Sequence, residues 1–142
     1  MMSRRPWHYD KAGLPMSDDV VQFALMFADP AYKYVLDTYI RSRSDLSHEL
    51  RVSTIWLGVD VSGGFSTRDP FIFETMTFGD LVTAAEVERF RAFRQRRWRS
   101  LEEAWRGHWS FVEVFEAEFP DYETKQSWWW KEGMDYSVSP FC

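Results

Sequence analysis

Two stretches rich in β-branched and aromatic residues, 52–59 (VSTIWLGV) and 71–78 (FIFETMTF), constrain this chain more than any other feature. Both have the composition of strands. The link between them, 62–70 (SGGFSTRDP), is polar and carries the Gly63-Gly64 pair. A parallel crossover needs a dozen or more residues, so a link of this size predicts an antiparallel pair. Upstream, residues 32–40 alternate, with Tyr32, Tyr34, Leu36 and Thr38 on one side. The polar stretch 41–50 (RSRSDLSHEL) separates this third strand from the second and reads as an exposed loop. Three successive strands predict an α+β fold: a meander of three or four antiparallel strands with helices packed on one face.

The flanking segments supply the helices. Residues 7–10 read as a short strand entering a type I turn, with Asp10 first and Gly13 fourth. Ser17 is then placed to cap a helix carrying Val20, Val21, Phe23, Ala24, Phe27 and Ala28, which should stop near Asp29 because Pro30 follows. After the strands, Thr83-x-x-Glu86 and Ser100-x-x-Glu103 are capping-box patterns. They predict helices over about 84–96 and 101–118, the second ending before Pro120. The same stretch also fits one bent helix, or an extra strand within 93–98. Phe23, Phe27, Val35, Ile55, Leu57, Ile72, Phe73, Met76, Trp105 and Val112 are the expected core.

At 142 residues, with 45% hydrophobic and 18% aromatic side chains, the chain has the material for one domain with a ring-rich core. That domain is expected to span 1–142, with a compact part over about 1–120 and an aromatic tail over 121–142. The lone cysteine, Cys142, can form no internal disulfide. The opening MMSRRPWHYD has no apolar stretch of the signal-peptide kind, and no run reaches the ~20 apolar residues of a spanning helix. A cytoplasmic setting without membrane contact is expected.

Charge is segregated. Residues 1–88 carry 8 basic and 13 acidic groups, residues 89–99 six Arg and no acid, and residues 100–142 3 basic and 9 acidic groups. Within the basic island, Arg91, Arg94, Arg96, Arg97 and Trp98 interleave guanidinium groups with rings, a pattern able to neutralise phosphates and stack bases. An isoelectric point of about 5.2 argues instead for a protein partner or a solvated face. Trp128-Trp129-Trp130 cannot all point one way, so this tail is a candidate contact surface, for a partner or for a homodimer, as well as a candidate cover for the sheet.

Catalytic signals are weak. His8, His48 and His108 are scattered without metal-ligand spacing, and no activated Ser or Cys and no phosphate loop is legible. No metal, cofactor or catalytic residue is therefore assigned. Asp60, Glu74 and His108 form a polar cluster only if the last helix crosses the sheet to bring them together, the arrangement a small hydrolase would need.

The strand pair VSTIWLGVD at 52–60 and P-x-IFETM at 70–76 resembles a family of small uncharacterised bacteriophage and prophage proteins of actinobacterial type. Tyr9-Asp10, Gly13, Pro15, Tyr32, Val35, Glu103-Ala104 and Gly107-His108 fit the same pattern in order, so the resemblance covers roughly 7–115. It implies a phage origin and brings no activity. The chain departs from the pattern at Val61, where the family often has His, which weakens an Asp–His site there. Together these readings lead to a non-enzymatic phage protein that binds a host protein in the host cytoplasm, for takeover or to block a defence. A nucleic-acid-binding accessory factor is the alternative.

Overall fold

The computed structural model of the protein describes residues 8–16, 20–60, 69–79 and 84–126. Its centre is an antiparallel sheet of five strands in the order β4-β3-β2-β1-β5. β1 is Tyr34–Ser42, β2 Glu49–Trp56, β3 Phe73–Gly79, β4 Gln95–Trp98 and β5 Tyr122–Gln126. The α+β class and the meander β1-β2-β3 are as expected, and two further strands enlarge the sheet. β5, in the stretch read as the start of the tail, pairs with β1 from Thr38↔Gln126 to Ser42↔Tyr122.

The helix α4, Leu101–Glu118, has the bounds its sequence predicts. Ser100 Oγ accepts the Glu103 N–H, and the Glu103 carboxylate reaches back to the Arg99 N–H rather than to that of Ser100. The reciprocal cap thus holds the entering chain as well as the first turn. Its buried residues are Ala104, Gly107, His108, Phe111, Val112 and Phe115, a single stripe at spacings of three and four. This stripe lies on Ile40, Leu50 and Val52 of the sheet, with Phe90 beside them. A second cluster gathers Tyr9, Trp56, Ile72, Phe73 and Ala104, and against it pack Phe23 and Phe27 of α1, Val20–Ala28. Each fully buried large side chain contributes roughly 2–3 kcal/mol of transfer free energy.

Local differences from the sequence reading have local causes. α1 ends at Ala28 as predicted, but Asp29 then caps a second short helix, α2 (Pro30–Lys33), by accepting the Ala31 N–H. Proline at a first helical position is pre-set for this, so the strand begins at Tyr34 rather than 32. His8 and Tyr9 make isolated bridges to Val59 and Pro15, not a strand. β2 ends at Trp56 because Gly58 takes φ 69°, and a Cβ there would strike the Trp56 and Phe23 rings. The predicted loop 41–50 shortens to 43–48 as both strands extend into it.

The largest revision concerns the helix expected over 84–96, where the alternative of an extra strand within 93–98 is the one the structure takes. The helix α3 covers only Ala84–Arg89, a 3-10 turn follows at Arg91–Phe93, and Gln95–Trp98 is strand β4. Thr77 draws the chain onto the sheet: its N–H donates to the Arg94 carbonyl at 2.9 Å and its hydroxyl to the Phe93 carbonyl at 2.6 Å. A continued helix would have stacked like-charged Arg side chains one turn apart with no acid among them. Of the expected core, Ile72, Phe73 and Val112 are buried, while Trp105 is 46% exposed. Ile55 and Met76 line a hollow on the sheet face opposite α4. Trp56, Phe111 and Phe115 are the large core rings the sequence reading did not single out.

Candidate functional site

Alternation along β4 sends consecutive arginines to opposite faces of the sheet. Arg97 turns away from α4 and reaches Glu74, its Nε 3.1 Å from the carboxylate, which also accepts from Gln95 at 2.8 Å. Arg96 turns toward α4, with its guanidinium 4.9 Å from the centre of the Trp98 ring. Trp98 is held from below by Thr75, whose hydroxyl accepts the indole N–H at 2.9 Å. Gly107 makes this seat: a Cβ there would overlap the Trp98 ring.

Beyond the strand, Arg99 sits over Phe71 with its guanidinium carbon 3.8 Å from the ring centre, while its Nε donates to the Asp69 carbonyl. Arg106 enters from α4, paired with Glu102 one turn back. Between β4 and α4 these groups line a cleft of about 710 Å³ whose walls include Phe71, Arg96, Trp98, Arg99 and Arg106. Gln95, Arg96 and Arg97 are all exposed. Among the described residues neither Arg94 nor Arg96 has an ion pair, and the Arg91–Glu88 contact is a loose 3.9 Å.

Among the described residues β4 is also a sheet edge. It pairs with β3 on one side, in the register Thr75↔Arg96, and Arg94 and Arg96 use their backbone groups there. The intervening residues, Gln95 and Arg97, turn their N–H and C=O groups outward. The site therefore offers positive charge, two cation–ring stacks and backbone hydrogen-bonding groups along one line.

Asp60, Glu74 and His108 are all buried but are not brought together. His108 lies under α4, and Glu74 is on the far face with Arg97. Asp60 follows the Val59–His8 bridge beyond the end of β2. His108 instead belongs to a chain of hydrogen bonds: Nε2 to Thr38 Oγ1 at 2.8 Å, Nδ1 to Thr54 Oγ1 at 2.8 Å, and Thr54 to Thr75 at 2.6 Å. The neutral ring carries one proton, so one ring nitrogen donates to its threonine hydroxyl and the other accepts from its own, while Thr75 accepts from Trp98 whichever way the chain runs. Burial pushes the His108 pKa down to about 3, so the ring is neutral at neutral pH.

A second charge pair with a buried carboxylate sits on the far face. Arg51 grips Asp37 with two bonds of 2.8 Å among the rings of Tyr34, Tyr39 and Phe78. Burial, and then the Asp37 charge, push the Tyr39 hydroxyl up to about 12.

Among the described residues no three His, Cys, Asp or Glu side chains are grouped to hold a metal ion, and no helix is long and apolar enough to cross a membrane. Trp128, Trp129 and Trp130 lie outside the described residues. Phe71, Arg106 and Gly107 are site residues the sequence reading missed, while Arg99 lies in the 89–99 basic island without being named there as a contact. The one available signal was Gly107, a glycine inside a well-capped helix, which marks a close approach. No protein-family model, curated protein or solved structure matches the chain.

Proposed function

We propose that this chain is a non-enzymatic binding protein that holds an anionic stretch of a protein partner along β4. The observation that carries this reading is the exposed edge strand with Arg96 and Arg97 on it, Arg99 just beyond its end, and ring-stacked guanidinium groups above the cleft. Guanidinium groups already oriented on rings lose little freedom when they grip a carboxylate, and they present a planar fork to it. The resemblance to phage proteins favours a host protein as the partner, bound for takeover or anti-defence.

The test is capture from host lysate with the intact chain and with Arg94, Arg96 and Arg97 replaced by Ala, followed by titration with the purified captured protein. Saturable one-to-one binding that weakens at least tenfold in the variant is expected. Equal affinity for both would remove the arginine edge from the function.

The two cation–ring stacks also favour a second reading, a single-stranded nucleic-acid accessory factor, since bases stack on the same platforms. It predicts binding to an oligothymidylate probe that falls steeply with salt. Undetectable binding at low salt would dispose of it.

A further inference from the structure

Resting on the binding role proposed above, we infer that β4 is a strand-addition site, where an extended acidic segment of the partner becomes the next strand of the sheet. The backbone argues first. Gln95 and Arg97 point their N–H and C=O groups away from β3, and both residues are exposed. Outward groups of this kind are the template that a guest strand uses, with main-chain bonds for affinity and alternate side chains for specificity.

Charge then selects the guest. A second copy of this chain pairing β4 with β4 would bring Arg96, Arg97 and Arg99 against the same residues, and like charges on adjacent strands repel. An acidic strand meets the opposite situation. Side chains on the α4 side of the guest would face Arg96, Arg99 and Arg106 around the cleft, while those on the other side would face Arg97, already engaged by Glu74. The segment that fits best carries Asp or Glu at every second position, all on the cleft side.

The probe is a capped peptide of four Glu-Thr repeats, titrated at low salt against the full chain. Two further versions carry backbone N-methyl groups on all the Glu or on all the Thr residues. In a strand these two sets of N–H groups point to opposite edges, so methylation of one set blocks pairing with β4 and methylation of the other does not. The parent peptide is expected to bind, Arg96→Ala to weaken it, and the two methylated versions to differ by about tenfold or more.

If both methylated versions bind like the parent while Arg96→Ala still weakens them, strand addition is wrong and the arginine surface alone accounts for the binding. If the parent fails and an eight-residue oligothymidylate binds through the same arginine, the nucleic-acid reading replaces both. If neither probe binds, strand addition falls, and the protein-partner reading then stands or falls by the lysate capture. The methyl groups are on the probe, so the comparison of the two methylated peptides needs no variant of the protein.

Discussion

The two sides of Trp98 show opposite treatments of polar groups. Beneath it, Thr75, Thr54, His108 and Thr38 hand hydrogen bonds from one to the next with His108, Thr38, Thr54 and Thr75 all fully buried. Above and beside it, exposed arginines line an edge whose outward backbone groups pair with no other strand among the described residues. A low-dielectric interior tolerates polar groups only when each has a partner, so the first region specifies how α4 sits on the sheet. The second keeps groups available that a partner can satisfy. The contrast separates the part of the molecule that holds the fold from the part proposed to bind.

Removing the centre of the buried chain should have the largest effect. His108→Ala leaves the Thr38 and Thr54 hydroxyls without the ring and opens a void under α4. A loss of about 4 kcal/mol is expected in urea denaturation. A loss under ~1 kcal/mol would mean that the chain of hydrogen bonds does not anchor the helix.

Acid probes the same residue without mutation. In the unfolded chain the imidazole takes up its proton near pH 6.5, whereas in the fold burial holds it off until about pH 3. Between those values the unfolded state binds the extra proton, so lowering the pH favours unfolding. The His108 contribution is complete above about pH 6.5 and is lost as pH falls toward 3, at up to about 1.4 kcal/mol per unit. Comparison with His108→Gln isolates this slope, which the variant should lack.

Gly107→Ala tests whether the two regions are coupled. The added methyl must displace Trp98, so stability should drop by about 2 kcal/mol and binding at the edge should weaken with it. Stability lost with binding intact would show that the Trp98 seat serves the core alone.

Arg96→Ala should do least to the fold and most to binding. Its side chain is exposed and touches only the Trp98 ring among the interactions described, so denaturation should move by less than ~0.5 kcal/mol. A larger change would erase the division between holding and binding.

Some of this arrangement was readable in the residues. The bounds of α4 follow from Ser100, Glu103 and Pro120, because caps and proline act within a turn of their own position. β-branched and aromatic composition identified β2 and β3, and alternation identified most of β1. The segregation of six Arg into 89–99 marked the basic surface before its shape was known. All of these signals are local, and the sequence by itself determined them.

The tertiary structure decided the rest. Residues 95–98 become a strand because Thr77, distant along the chain, bonds the Phe93 and Arg94 carbonyls. That pairing, not the helical spacing of Phe90, Phe93 and Trp98, sends Arg96 to one face and Arg97 to the other. His108 gave no sign of neutrality in its own neighbourhood, since its hydroxyl partners Thr38 and Thr54 come from two different strands. Propensity and capping register only neighbours along the chain, whereas strand pairing and burial join residues that chain distance keeps apart.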